Sequence, residues 1–160
     1  MKTAATSLSI KIVTALVLAI TAGLCVAAVQ DAHLLIAGAL LAVTSLLCYL
    51  WAPIGYEVAD GWLTVRFRLG QKQFGPIMRC SRVTQRSRCS IRLCGNGGLF
   101  AGTGLFWNRA YGVYRSYVTS DRTADLVLVE TAGRKILISP EHPDEFVASC
   151  PNPQPSEVSG

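Results

Sequence analysis

The sequence predicts a two-helix membrane anchor followed by a soluble, mainly β domain. Two apolar runs without a single charge, residues 12–29 and 34–52, predict the anchor. Alternation of apolar and polar residues with a period of two, clearest over residues 62–69, predicts the strands. A serine and proline followed by acidic residues at 139–145 predicts one short helix near the end of the chain.

The anchor consists of two helices that cross the bilayer in opposite directions. At 1.5 Å per residue, each apolar run is about long enough to span a hydrocarbon core of roughly 30 Å. Only residues 30–33 separate the runs, so the helices must form an antiparallel hairpin. The chain is 51% hydrophobic, and because the excess is concentrated in this first third, the remainder has the composition of one ordinary soluble domain.

Positive charge predicts the orientation of the hairpin. Lys2 and Lys11 precede the first run, no Lys or Arg lies between the runs, and arginines are frequent after the second. Since Lys and Arg are retained on the cytoplasmic side, residues 1–11, the domain and both termini are expected in the cytoplasm. The rival interpretation, a cleaved signal peptide, is disfavoured because a second spanning run follows at once.

The domain is expected to begin with an antiparallel meander. Leu63, Val65, Phe67 and Leu69 point to one face of a strand and Thr64 to the other, wet face. Residues 54–58 should pair with this strand through a turn at 59–61, and a turn at 70–72 should lead into a third strand at 74–78.

A second hairpin and a helix should complete the domain. Residues 125–130 and 135–138 are predicted strands joined by a turn at 132–134. The helix is expected over residues 143–149, with Ser139 as its capping residue. The domain then spans residues 54–150, and residues 151–160, with three prolines and no apolar pattern, form a disordered tail.

The six cysteines are expected to be reduced. Cys25 and Cys48 lie within the apolar runs, and no CxxC pair occurs among the others. In a cytoplasmic domain, buried free thiols are the usual state. Because only His142 is available in the domain to join the thiols, we expect no metal site, and no cofactor is indicated.

Three segments resemble the bacterial pleckstrin-homology (PH) domain family of membrane proteins. They are the glycine and aromatic segment 95–108, the Tyr-Val-Thr at 117–119, and the SPxxPxxF-like ending within 138–146. The resemblance covers about residues 54–149. It implies a PH-like fold, two packed antiparallel sheets of about seven strands closed by a C-terminal helix, in a protein of the bacterial inner membrane. It implies little about activity, because PH-like folds host lipid, peptide and protein recognition alike.

The glycine segment itself is interpreted as a long turn rather than a phosphate loop. No Gly-Lys-Ser/Thr follows it, and Phe100 stands where a dinucleotide fingerprint requires glycine. Its apolar side chains are therefore expected to pack on the sheets or against the bilayer.

A basic stretch is the main candidate binding feature. No acidic residue occurs between Asp60 and Asp121. The candidate lipid- or partner-facing residues are Arg66, Arg68, Lys72, Arg79, Arg82, Arg86 and Arg88. Two interpretations stay open: these side chains are solvated strand faces that also enforce the topology, or they contact anionic headgroups. Eukaryotic PH domains that bind phosphoinositides use a lysine in the first strand and a basic-x-basic pair in the second. Arg66 and Arg68 match that pair, but residues 54–58 contain no lysine, so phosphoinositide specificity is not expected here.

We therefore expect a non-enzymatic, membrane-anchored binding or scaffold module. Its partner would be anionic lipid, another protein or a second copy of the chain. Nucleic acid is not expected, although residues 109–117 interleave arginines with tyrosines. The alternative is an enzyme or small-ligand carrier with a pocket near residues 89–107, where Cys89 or Cys94 would be the reactive group.

Overall fold

A computed structural model describes residues 1–27, 32–83, 90–97 and 99–151 of the chain. Two helices come first, α1 (Leu8–Ala27) and α2 (Ala32–Leu50). The first strands are β1 (Pro53–Ala59), β2 (Trp62–Phe67), β3 (Gly70–Phe74) and β4 (Ile77–Arg82). The remaining strands are β5 (Ser90–Gly97), β6 (Gly102–Asn108), β7 (Gly112–Val118), β8 (Val127–Thr131) and β9 (Arg134–Ile138). A single 3-10 turn (Thr123–Asp125) precedes β8, and α3 (Pro143–Ser149) ends the fold.

Both α1 and α2 are long and apolar enough to cross a membrane, as the sequence predicts. Mean hydropathy is 2.2 over Leu8–Val26 and 2.0 over His33–Leu50. Only 6% and 11% of these windows is buried inside the molecule, so the helices are not packed as the core of a soluble protein would be. They contact each other closely at Gly38, where an added Cβ would lie 3.3 Å from Cys25 Sγ.

The strands form two sheets. The first contains three strands in the order β1-β2-β3, and the second contains six in the order β4-β8-β9-β7-β6-β5. All pairs are antiparallel except β7 with β9. Two packed sheets with a C-terminal helix confirm the expected fold class. The described residues form nine strands, two more than the family resemblance implies.

The main core lies between the two sheets and is closed by α3. Leu63, Val65 and Phe67 of β2 are buried against Val127 and Ile138 of the larger sheet. Phe146 of α3 is 1% exposed and belongs to the same cluster. The helix has the predicted bounds, but Ser139 does not cap it: the residue before α3 is His142, without a side-chain cap, and Ser139 Oγ accepts a hydrogen bond from Thr119 N.

The first hairpin matches the prediction, and the third strand does not. Asp60 and Gly61, both with positive φ, form the turn between β1 and β2. Residues 70–72, expected as a turn, are instead strand β3, and residues 75–76 separate β3 from β4. Leu69 is consequently outside the core at 68% exposure. Thr64 is buried rather than wet, because Glu57 and Gln73 stand beside it on the same face.

The glycine segment is a β-hairpin rather than a long turn. Gly95 of β5 lies opposite Gly104 of β6. A Cβ on Gly104 would lie 2.2 Å from the Cys94 carbonyl oxygen, and both glycines have positive φ. Only glycine permits this approach of the two backbones, which is why the segment is glycine-rich.

The cysteine prediction is wrong for one pair. Cys80 of β4 and Cys150, which follows α3, form a disulfide with a Cα–Cα distance of 6.2 Å. The sequence argument relied on the absence of a CxxC motif, whereas these partners are 70 residues apart and meet only through the fold. Cys25, Cys48 and Cys94 are free, and Cys89 lies outside the described residues.

The seven residues that precede α1 form part of the β domain. This N-terminal segment (residues 1–7) runs between β1 and the end of β9: Tyr56 N donates to Met1 O, and Ala4 N donates to Ser139 O at 2.8 Å. Further along, Ser7 N donates to Thr119 O. The segment therefore fixes the start of α1 against the domain.

Candidate functional site at the base of the helix pair

The domain is attached to one end of the helix pair, which we call the base: the Leu8 end of α1 and the Leu50 end of α2. Phe100 N donates to Thr14 Oγ1 at 3.1 Å, and the Phe100 ring meets the Tyr49 ring edge-on. Trp51, directly after α2, packs on Phe67. These contacts hold Tyr49 and Trp51, at the end of α2, against the loop before β6 and against β2.

Two of the predicted basic residues lie at this base. The guanidinium of Arg68, in the turn after β2, sits 4.1 Å from the centroid of the Tyr49 ring, and Lys72 Nζ of β3 sits 4.5 Å from that of Trp51. Such cation–π contacts contribute about 0.5–1 kcal/mol at exposed sites. Tyr49 and Trp51 thus position Arg68 and Lys72 beside the end of α2.

The other predicted basic residues are distributed elsewhere. Arg66 is paired with Glu57 at 2.7 Å on the small sheet. Arg79 and Arg82 are on β4 in the larger sheet, where Arg79 is exposed and Arg82 forms an ion pair with Asp144 of α3. Arg86 and Arg88 lie outside the described residues. The structure thus brings Arg68 and Lys72 to the base, and neither Arg79 nor Arg82 takes part in the contacts described there.

An open groove of about 640 Å³ lies at the base, between α1, the N-terminal segment and the domain; we call it the base groove. Three cationic side chains border it: Lys2, Lys11 and Arg68. Its other lining residues are hydroxyl-bearing or apolar: Thr3, Thr6, Thr14, Tyr49, Thr119, Ala15, Leu18, Ala52, Pro53, Ile54 and Phe100. No acidic residue is among the described residues that line it.

Sequence reasoning missed the base groove. It treated Lys2 and Lys11 only as signals of topology, and Arg68 only as part of a basic stretch. Nothing in the local sequence places Lys2 and Arg68 at one groove, because they line it together only when the N-terminal segment docks beside β1. The apolar run of the first helix predicts a membrane span and does not indicate a ligand site.

A second, smaller cavity of about 290 Å³ lies on the other face of the larger sheet; we call it the outer cavity. Ile10 and Val13 of α1 close it on one side, and the aromatic residues Phe106, Tyr111 and Tyr114 line the sheet side. Ser90, Gly102 and Phe106 fall within residues 89–107, the region predicted for a small-ligand pocket. The outer cavity therefore coincides in part with that predicted pocket.

Among the described residues, no cysteine or histidine lines the base groove or the outer cavity. Among them, no three His, Cys, Asp or Glu side chains come together in a way that could hold a metal ion. Cys94 is exposed and does not line the outer cavity. Polar side chains of the outer cavity bond to each other: Ser9 Oγ donates a hydrogen bond to Asp121 Oδ2, and Tyr114 Oη donates one to Ser90 Oγ.

Comparison with protein families found a match. The model described as "Bacterial PH domain" matches residues 54–151, well over half of the chain. Comparisons with curated proteins and with solved structures found no match. The matched segment runs from β1 to just beyond α3, so it comprises both sheets and leaves out the helix pair and the N-terminal segment.

Proposed function

Because the chain belongs to the bacterial PH domain family, we propose that it is a non-enzymatic binding module. Its helices α1 and α2 anchor it in the inner membrane, and the module contacts anionic lipid headgroups. The observation that carries the proposal is the position of Arg68 and Lys72 on Tyr49 and Trp51. Aromatic rings at the end of a spanning helix settle at the headgroup level. Cations stacked on these rings are held at the same depth.

Electrostatics supports headgroups as the ligand. A basic side chain near an anionic leaflet contributes about 1 kcal/mol, and the effect decays within a Debye length. Arg68 and Lys72 satisfy this distance condition because their ring partners flank the end of α2. Arg82 is paired with Asp144, so its charge is already compensated.

We place the domain on the cytoplasmic side. Lys2 and Lys11 flank the first helix and no Lys or Arg lies between the helices, a bias that favours cytoplasmic termini. The Cys80–Cys150 disulfide opposes this placement, because cytoplasmic thiols are normally reduced. The proposal follows the charges, because Lys and Arg beside the spans act directly on their orientation; on the cytoplasmic side Cys80 and Cys150 would be held as two reduced thiols.

Hydrogen exchange of the full chain in nanodiscs tests the proposal. In discs that contain phosphatidylglycerol, amides of residues 67–73 should exchange more slowly than in pure phosphatidylcholine discs, and high salt should abolish the difference. The double substitution Arg68→Gln and Lys72→Gln should remove it, whereas Arg134→Gln, in a groove lined by no helix residue, should leave it intact. Equal exchange in both kinds of disc would contradict the proposal.

A second candidate, a carrier of a small apolar ligand, is favoured by the outer cavity alone. Its lining surface is mainly apolar, with several hydroxyl groups, the Asn108 amide and the Asp121 carboxylate as polar groups, a combination typical of small-molecule sites. Native mass spectrometry of the full chain would test it, because a carrier should retain a bound small molecule that Gly102→Leu displaces.

A further inference from the structure

We propose that the base groove is a site for one anionic phospholipid, with the phosphate among Lys2, Lys11 and Arg68 and the first acyl carbons on Leu18 and Phe100. This inference rests on the proposed function, because it requires the base to lie at the headgroup level. It goes further in assigning a single defined lipid to a defined groove rather than a diffuse contact with a surface.

Charge complementarity is the first argument. The three cations come from three separate parts of the chain, namely the N-terminal segment, α1 and the turn after β2. Among the described residues, none of the three forms a salt bridge, and no acid lines the groove. Three like charges gathered around one opening repel one another, so an anion bound between them would be stabilised.

The gradient of polarity along α1 is the second argument, and it distinguishes a lipid from a soluble phosphate. Lys11, Thr14, Ala15 and Leu18 all line the groove and follow one another at helical spacing on one face. From Lys11 to Leu18 the helix rises by about 10 Å. Over this length the lining changes from charged to hydroxyl-bearing to apolar, as a phospholipid does from its phosphate to its acyl chains.

Phe100 continues the apolar end of the groove on the domain side. It has positive φ, its backbone amide is bonded to Thr14 Oγ1, and its ring is fixed against Tyr49. The loop before β6 is thus held next to the span at the depth of Thr14. An acyl chain leaving the groove would pass between Leu18 and this ring.

The groove is a property of this chain rather than of the PH domain alone. Lys2 and Lys11 lie outside the family match, which begins at residue 54. Lys2 reaches the groove because its carbonyl oxygen accepts a hydrogen bond from Glu141 N and because it bridges to Gly55. The N-terminal segment therefore builds one wall of the site.

Native mass spectrometry of the full chain in neutral detergent tests the assignment, with dioleoyl phosphatidylglycerol and dioleoyl phosphatidylcholine as probes. We expect one phosphatidylglycerol per chain to be retained in preference to phosphatidylcholine. Lys11→Gln and Arg68→Gln should each weaken retention about fivefold, as about 1 kcal/mol per cation implies. Lys11→Arg, which keeps the charge, and Arg134→Gln, remote from the groove, should retain the lipid like the unmodified chain.

The outcomes separate this inference from the proposed function. If Lys11→Gln leaves retention unchanged while the anionic nanodisc effect persists, the groove assignment is wrong and the surface contact stands. If Lys72→Gln weakens the nanodisc effect but not retention, the groove and the surface contact share Arg68 but differ at Lys72, as we expect. Equal retention of both lipids overturns the assignment. Retention of glycerol 1-phosphate as strong as that of the lipid overturns it too, because the site would then recognise a soluble phosphate.

Discussion

Tyr56 joins the three parts of the fold that meet beside β1. Its hydroxyl group donates to the Tyr117 carbonyl oxygen at 2.5 Å and lies 3.5 Å from Ser139 N, while its backbone amide donates to Met1 O. Burial raises the pKa of Tyr56 well above its ordinary value near 10, and the contacts with Ser139 lower it in part. A neutral, hydrogen-bonded phenol is therefore built into the core.

Tyr56→Phe should lower the free energy of unfolding by about 1–3 kcal/mol, because it leaves the buried Tyr117 carbonyl without this donor. The matched control is Tyr114→Phe, whose hydroxyl is only partly buried and bonds Ser90. We expect a smaller loss there, since water can replace the phenol. Denaturation of the full chain in detergent, followed by tryptophan fluorescence, measures both, and equal losses would contradict the argument.

The same residue predicts a loss of stability in alkali. Its folded pKa is above its unfolded pKa, so the unfolded chain releases the proton first, and stability is fully present below about pH 10 and decreases above it. Tyr56→Phe should have a shallower decrease above pH 10 than the unmodified chain. Parallel slopes for the two proteins would contradict the assignment of this titration to Tyr56.

At the scale of elements, sequence reasoning succeeded where local chemistry decides the structure. The helix at 143–149 was predicted because proline and acidic residues favour a helix start, and the turn at Asp60 and Gly61 because both residues tolerate positive φ. It failed where distant partners decide. Strand β3 was missed because its polar residues show no core pattern, and β5 and β6 because glycine is normally rare in strands.

The same limit explains the candidate site. Arg68 and Lys72 were among the predicted basic residues. What brings these two to the base is their contact with Tyr49 and Trp51, which lie about twenty positions earlier in the chain. Lys2 and Lys11 were not predicted to bind a ligand. Their approach to Arg68 depends on backbone hydrogen bonds between residues 1–7 and the domain, which no local pattern announces.

The disulfide between Cys80 and Cys150 fastens α3 to β4. It closes a loop with a sequence separation of 70 residues, for which the chain-entropy model gives about 4 kcal/mol of stabilisation. Cys150→Ser should therefore lower the free energy of unfolding by up to about this amount under oxidising conditions. The control Cys94→Ser, at an exposed free thiol, should have no effect.

Reducing agent gives the complementary measurement. It should destabilise the unmodified chain to the level of Cys150→Ser and leave the variant unchanged, as followed by thermal unfolding with and without dithiothreitol. If reductant lowers the stability of Cys150→Ser as much as that of the unmodified chain, the effect does not come from this bond. The Arg82–Asp144 pair, which also joins β4 to α3, is exposed and should hold the helix only weakly once the disulfide is lost.

At the scale of the whole molecule, the helix pair and the domain form one assembly rather than an anchor with a separate head. Ile10, in the first turns of α1, is 6% exposed and helps close the outer cavity. Ser9 is bonded to Asp121, and Thr14 to Phe100. Since α1 is fixed to both the N-terminal segment and the larger sheet, the orientation of the helices determines on which side of the membrane the segment and the sheet lie.

Paired reporters on the full chain decide that side. A green fluorescent protein fused after Gly160 should be fluorescent and an alkaline phosphatase fused there inactive, because the absence of Lys and Arg between the helices favours cytoplasmic termini. The matched control is the phosphatase inserted between Asp31 and Ala32, which should be active. An active phosphatase after Gly160 would reverse the orientation. It would place Cys80 and Cys150 in an oxidising compartment and contradict contact of Arg68 and Lys72 with the inner leaflet, whereas the geometry of the base groove would be unchanged.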